Sequence, residues 1–265
     1  MWLAVAAFAI PLAWMAISSF RPTHEILTIT GLSPALFVPT SVTLDNYVRL
    51  FASAFTPALM RSIIVAAAVT CWGLAVCVLA AFALSVLRFP YRNAIFVIVV
   101  ISFVVPNDAT AFALLRLTRQ WGLENTYLGL ILPAMIDGMV IFLLRQFFLG
   151  IPGEIVDAAR VDGASWWSVL SRIYLPLSRP ALIGGALILF ITQWTAYLWP
   201  LLISSDPSMY LAPIALAQAT HQGWLKTDVG VMFAGSVILT LVPVLALLPL
   251  QRYFVQSIAG SGLKG

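Results

Sequence analysis

Charge is scarce in this sequence. Only 9% of its 265 residues are Asp, Glu, Lys or Arg, where a soluble domain carries about 25%. Hydrophobic residues make up 62% and the mean hydropathy is +1.00. These values exclude an ordinary soluble domain and put the chain in a lipid bilayer. A spanning helix needs roughly 20 apolar residues, so the length admits about six spans, short connections and no large additional domain. Cysteine is nearly missing too: there are two, Cys71 and Cys77. Six residues of helix turn through about 600°, so the two thiols point to different faces. That excludes a disulfide between them, and no metal-ligand spacing is present. Both read as small buried hydrophobes. A basic patch with interleaved aromatics is also lacking. The net charge is +4, but the basic residues flank apolar stretches, so they speak for membrane topology rather than nucleic acid. No basic stretch precedes the first apolar run, as it would in a signal peptide. That run is expected to be a retained span.

What is there is an all-α, polytopic pattern: a single transmembrane domain over residues 1–265 with spans at about 2–20, 62–87, 93–115, 127–148, 181–204 and 229–250. Between the first two, Pro22, Gly31, Pro34, Pro39 and Pro57 break the chain too often for it to cross lipid. Asn46–Phe55 within that stretch is expected to form a short interfacial helix. Pro106 removes a backbone donor from span three and predicts a kink there. It is the one interruption expected inside a span. No long internal repeat is visible.

With both termini on one side, that side carries Arg88, Arg92, Arg145, Arg160, Arg172, Arg179, Arg252 and Lys264. The other carries Arg21, Arg49, Arg61, Arg116, Arg119 and Lys226. The bias favours cytoplasmic termini. Trp2, Trp121, Tyr127, Trp199 and Tyr253 fit interfacial belts.

The connection at 151–180 has more pattern than a linker needs. Ile155, Ala158, Ala159 and Asp162 recur at i, i+3, i+4 and i+7, the period of one helical face. Glu154 and Asp157 suit the positive N-terminal end of that helix. Gly163 permits a sharp turn, and Ser165 can cap a second helix. Trp166, Val169, Leu170 and Ile173 repeat the same period there, and Pro176 and Pro180 are expected to end it. The expected form is a helix–turn–helix on the cytoplasmic membrane surface. Its two alanines would let another protein's backbone approach closely. An amphipathic pair that merely anchors at the interface has the same periodicity.

This segment resembles the EAA motif of ABC-importer permeases: Glu-Ala-Ala, three residues, Gly, nine residues, Ile, one residue, Leu-Pro. Here Asp157-Ala158-Ala159, Gly163, Ile173 and Leu175-Pro176 stand at those spacings, with Asp157 in place of Glu. Ser19-Phe20-Arg21-Pro22, Leu44-Asp45-Asn46-Tyr47, Gly122-Leu123-Glu124-Asn125-Thr126-Tyr127, Gly129-Leu130-Ile131-Leu132-Pro133, Tyr197-Leu198-Trp199-Pro200-Leu201 and the ending at 251–265 look like the carbohydrate-uptake branch. They are similar to the maltose-type second permease subunit and to the glycerol-3-phosphate importer permease.

The resemblance implies a bacterial inner-membrane subunit for a sugar or sugar-like solute, without catalytic residues. Its expected partners are a second permease subunit, two ATPase subunits and an extracytoplasmic substrate-binding protein. No cofactor is expected on this chain. ATP and Mg belong to the ATPase subunits, and no GxxxxGK[ST] phosphate loop occurs here. Glu154, Asp157, Ala158, Ala159, Asp162, Gly163, Ile173 and Pro176 would couple to an ATPase, and the tail at 251–265 would reach toward it.

Candidate pathway residues come from ionisable and polar groups at membrane depth. Asp137 lies near the middle of span four, either facing the path or bonded within the bundle. Asn107 and Asp108 follow the Pro106 break. Gln193, Trp194 and Tyr197 offer hydrogen bonding and ring stacking for a sugar in span five. The related permeases often have Trp-Asn-Asp where Trp194-Thr195-Ala196 stands. The spans hold no central Arg or Lys, which weighs against a phosphate-bearing cargo. The competing function is an ion-coupled secondary transporter using Asp137, though such carriers usually show inverted repeats and discontinuous helices.

Overall fold

The computed structural model describes residues 2–28, 36–221 and 228–248. All the regular structure there is helical, with no strand among the described residues, as the composition requires. The ending at 251–265 and its expected contact with a partner lie outside the described residues.

Among the described residues, two helices are long and apolar enough to cross a bilayer unbroken, α4 (Phe55–Ser85) and α15 (Val229–Leu247). The first span is α1 (Trp2–Ser19), followed by α2 (Thr23–Thr28) and the short helix α3 (Asp45–Phe51). That last helix sits where an interfacial one is expected. α4 begins seven residues before the expected span because Pro57 falls in its first turn, where a missing N–H has no partner to lose. Its 31 residues extend about 46 Å, well beyond the roughly 30 Å hydrocarbon layer. Cys77 is buried as expected, but Cys71 is exposed on the outer face of α4.

The other spans are interrupted more often than the single expected kink. In span three, α5 (Arg92–Val104) turns by 106° at Pro106 into α6 (Asn107–Gln120). The chain changes direction there rather than kinking. In span four, α7 (Tyr127–Ile131) tightens into a 3₁₀ turn over Leu132–Met135, then restarts after a 40° bend as α8 (Gly138–Leu149). Pro133 supplies the reason, since it cannot donate the bond that would continue the helix. The next connection holds α9 (Gly153–Val161), α10 (Trp166–Val169) and α11 (Leu175–Leu177). Span five is α12 (Arg179–Thr195), and it stops at Ala196-Tyr197 before α13 (Leu198–Ile203). α14 (Ala212–His221) precedes α15.

The described chain divides into two compact units. One comprises the described residues within 1–62 and 206–246, the other those within 63–205 and 247–248. In the second, α8 is the central helix, packed against α5 and α12. Lipid tails are as apolar as leucine, so helix association in a membrane relies on close packing at small residues. Gly138 shows this on α8: a Cβ there would lie 2.7 Å from the Val99 carbonyl of α5. Gly185 on α12 plays the same part, since its Cβ would meet Val140 at 3.0 Å. Below them Cys77, Ala81, Phe82, Val140, Ile141, Leu144, Phe148 and Leu189 form a buried core.

A turn in this unit accounts for one of the family-like motifs. Gly122 and Asn125 both adopt positive φ, +67° and +53°. Thr126 then caps α7 by accepting the Gly129 N–H at 3.0 Å. The Asn125 N–H donates to the Ile203 carbonyl at the end of α13, and Trp199 donates to the Gly129 carbonyl at 3.2 Å.

The first unit is held by polar contacts. Asn46, buried on α3, donates from Nδ2 to the carbonyls of Ser19 and Arg21, each at 2.8 Å. Arg49 pairs with Asp228, which accepts the Thr23 hydroxyl at 2.6 Å. Asn46, Arg49, Thr23 and Asp228 thus fasten the end of α1 to the start of α15. A Cβ on Gly230 would sit 2.6 Å from the Asn46 amide. Gly230→Val is therefore expected to force that amide off its two carbonyls, costing about 1–3 kcal/mol. The thermal midpoint of the detergent-solubilised chain, followed by size-exclusion fluorescence, should fall, while Ala16→Ser on α1 should leave it nearly unchanged.

Candidate functional site: a two-helix loop beneath a broken span

The 151–180 connection folds as expected in outline. α9 ends at Asp162, whose N–H donates to the Ala158 carbonyl at 3.0 Å. Gly163 follows at φ +81°. A Cβ there would touch nothing within 4 Å, so the need for glycine is conformational and not one of space. Ser165 caps α10 by accepting the Ser168 N–H at 3.2 Å. The turn is braced by Arg160, which donates to the Ala164 carbonyl at 2.6 Å and stacks its guanidinium 4.5 Å from the Trp166 ring.

α9 attaches to the bundle through a residue outside the face of Ile155, Ala158, Ala159 and Asp162. Val156 is the buried residue, with Ala159 half-buried, while Ile155, Ala158 and Asp162 are exposed. One residue shifts a helical face by about 100°, and periodicity cannot say which apolar stripe meets the bundle. The second helix ends between Pro176 and Pro180, as expected. The helix runs on to Leu177 and turns by 84° at Ser178 into α12. Pro176 lacks an N–H, and the turn just before it, Leu170–Tyr174, widens to a π-helix in which the Leu175 N–H reaches back to Leu170. A π-bulge is a common way for a helix to absorb such a break.

The loop sits under the ends of two spans. Tyr174 is buried with its ring edge-on to Phe82 of α4 at 5.2 Å and to Phe148 of α8 at 5.1 Å. Burial pushes its phenol above the ordinary range. Val156, Val169 and Leu170 join the same core. Ala159, Asp162, Gly163, Ala164, Ser168, Val169, Arg172 and Ile173 line a shallow groove of about 370 Å³. Asp157 and Ala158 are exposed beside it, and Glu154 is exposed in the first turn of α9. Tyr174, Val156 and the Arg160–Trp166 stack were not picked out from sequence. The i, i+3 spacing of Val156 and Ala159 was the one available signal.

The pathway candidates are spread along the second unit. Asp137 does not lie within a continuous helix. It stands at the interruption of span four and caps α8, its Oδ1 accepting the Val140 N–H at 2.9 Å. The Cys77 thiol donates to the Asp137 carbonyl at 3.7 Å. Asn107 opens α6, and Asp108 is exposed in its first turn. Gln193 and Trp194 are buried at the end of α12, Trp194 stacked on Phe190 at 5.8 Å. The Gln193 amide nitrogen has no hydrogen-bond partner among the described residues. Tyr197 is exposed at the α12–α13 break. No hydrogen bond or ion pair joins Asp108, Asp137 and Gln193 among the described residues.

An N-cap carboxylate and an N-cap amide both present an acceptor oxygen. Asp137→Asn should therefore keep the thermal midpoint close to that of the native chain. Asp137→Leu should lower stability by about 1 kcal/mol, the worth of a cap. A large loss in Asp137→Asn, measured in detergent across pH 5–8, would show that the negative charge itself is needed.

Three comparisons with known proteins bear on this arrangement. The family described as binding-protein-dependent transport system inner membrane component matches residues 73–260. The arabinooligosaccharides transport system permease protein AraQ of Halalkalibacterium halodurans is 32% identical over 274 residues, covering 100% of this chain and 96% of the relative. The sn-glycerol-3-phosphate transport system permease protein UgpE of Agrobacterium fabrum is 31% identical over 264 residues, covering 97% and 92%. Among solved structures, a chain of a bacterial ABC transporter involved in the import of alginate, an acidic polysaccharide, shares the fold with a TM-score of 0.80 at 22% identity, over 95% of this chain and 94% of that one. A chain of the MetNI methionine ABC transporter gives 0.55 at 20% identity, over 80% and 97%. With the spacing of the 157–176 motif and the broken-span fold, these matches show that the chain belongs to the binding-protein-dependent transport system inner membrane components, the multi-pass permease subunits of ABC importers.

Proposed function

We propose that this permease carries a sugar or sugar-like solute and is driven by an ATPase subunit docked on α9 and the Gly163 turn. The observation that carries the reading is the division of the loop into two faces. Val156, Val169, Leu170 and Tyr174 fasten it to the ends of α4 and α8, while Asp157, Ala158 and Gly163 remain exposed beside an open groove. A partner that moved this knob would move the spans above it. Glu154 and Asp162 add negative charge for a basic partner, and Ile173 and Pro176 set the geometry of the second helix.

In this reading the ATPase subunits, with their ATP and Mg, are separate chains. A second permease completes the pathway, and an extracytoplasmic binding protein delivers the solute. The loop side and both termini face the cytoplasm. Sugar is favoured by the two curated relatives, which are named for an oligosaccharide and a glycerol phosphate, and by the buried amide and stacked rings at Gln193, Trp194 and Phe190. The ion-coupled alternative draws less support, because the Asp137 carboxylate is engaged as a helix cap.

The test uses the assembled complex. Ala158→Trp fills the exposed face, and Gly163→Val places a branched residue at positive φ, at a cost of about 1–2 kcal/mol. Both should reduce recovery of the ATPase subunit with the permease by at least tenfold, while the surface control Ile155→Ala should not. Uptake into vesicles should require ATP. Uptake that proceeds without ATP on a proton gradient would sink the proposal.

A further inference from the structure

The link between α4 and α5 has a charge pattern that the coupling loop does not explain. No acidic residue occurs between Asp45 and Asp108, nor between Asp137 and Glu154. Arg88, Arg92 and Arg145 fall in these acid-free stretches. Two of them are fixed. Arg145 donates from Nε to the Leu84 carbonyl at 3.0 Å and lies 3.8 Å over the Phe96 ring. Arg92 donates to the Leu87 carbonyl at 3.2 Å and the Ser85 carbonyl at 3.5 Å. Both therefore cap the carbonyl end of α4, where cations are favoured. Arg88 makes no hydrogen bond or ion pair among the described residues and is exposed.

The geometry around Arg88 suits an anion. A cavity of about 330 Å³ is lined by Arg88, Phe89, Tyr91, Arg92, Asn93 and Ala94. Tyr91 holds φ +62° and caps α5 without a side-chain bond, and no acid occupies the first turn of that helix. The first N–H groups of α5 therefore add to the field of the arginines. Above the cavity, α5 exposes Ile95, Ile98 and Ile101, an apolar strip continuous with the charged link. The link lies at the same end of α4 as Phe82, which packs on Tyr174 of the coupling loop. A charged cavity below an exposed apolar strip, at the end of a span, lies at headgroup depth.

We infer that the α4–α5 link binds the phosphate of an anionic phospholipid, with Arg88 as the mobile contact, Arg92 as the fixed one and the acyl chains along Ile95 and Ile98. Its leaflet, the cytoplasmic one, rests on the importer reading; the site itself does not. Basic pockets at the ends of spans are suited to such headgroups, at about a factor of five in affinity per basic side chain.

The experiment is native mass spectrometry of the full-length chain in mild detergent. The probes are phosphatidylglycerol, phosphatidylcholine with the same acyl chains, and inorganic phosphate. The native chain should retain phosphatidylglycerol in preference to phosphatidylcholine. Arg88→Gln should cut that retention about fivefold, Arg88→Lys should keep most of it, and phosphatidylcholine should be indifferent to both. The preference of the native chain should also fall as salt is raised, because screening shortens the reach of exposed charges. That readout stands even if a variant cannot be recovered.

Equal retention by the native chain and Arg88→Gln, or a salt-independent preference, overturns the inference. So does displacement of the lipid by millimolar inorganic phosphate, which would make the cavity a soluble-anion site. Loss of a co-purifying ATPase subunit in Arg88→Gln, with lipid retention unchanged, would reassign Arg88 to a partner's carboxylate. The lipid readout needs no ATPase, so its failure is distinct from a failure of the importer reading.

Discussion

The hydrogen bond from the Val140 N–H to the Asp137 carboxylate, 2.9 Å long, is the constraint on which the second unit depends. A helix interrupted inside a bilayer leaves backbone N–H groups that no water can satisfy. Pro133 forces the interruption, and Asp137 answers it at the first point where a helix can restart. Where α8 starts decides where its residues go. Gly138 meets α5 one residue later, Val140 meets Gly185 of α12, and Leu144 and Phe148 enter the core below. A start displaced by one residue would rotate all of these by about 100°. The acidic side chain that the sequence offers as a transport candidate also caps a helix.

α8 also joins the interruption to the coupling loop. It has 12 residues, about 18 Å of helix, with Asp137 at one end and the Phe148–Tyr174 contact at the other. The loop is divided by face, one side buried beneath α4 and α8 and the other open. The same short helices can therefore be fastened to the spans and offered to a partner. Displacement of such a knob has packed side chains to act on, which is what a two-state movement requires. The π-helical turn before Pro176 and the 84° turn at Ser178 place the next span directly after it.

The first unit solves its packing problem differently. Its contacts between α1, α3 and α15 are carried by Asn46, Arg49, Thr23 and Asp228, with Leu50, Phe55, Val231 and Ala234 buried alongside. Polar groups facing one another inside a bundle avoid the cost of meeting hydrocarbon. Gly230 lets the backbone of α15 approach the Asn46 amide. The Leu44-Asp45-Asn46-Tyr47 motif thereby acquires a structural meaning that its resemblance alone did not supply.

The helical multi-pass class and the 157–176 spacing were legible in the sequence because they depend on local quantities: hydropathy summed along the chain, proline's missing donor, glycine's freedom at Gly163. Even the position of the Pro106 break could be read, though not its 106° turn. The tertiary structure alone decided that Val156 rather than Ile155 faces the bundle, that Asp137 caps a helix, and that Arg92 and Arg145 are fixed on carbonyls while Arg88 is not. The Arg145 bond to Leu84 joins residues distant in the chain, and the Asp137 cap and the Arg92 bonds, though local, depend on where the helices break. A periodic pattern gives the angles between side chains on one helix, but only packing gives the direction from which a neighbour arrives.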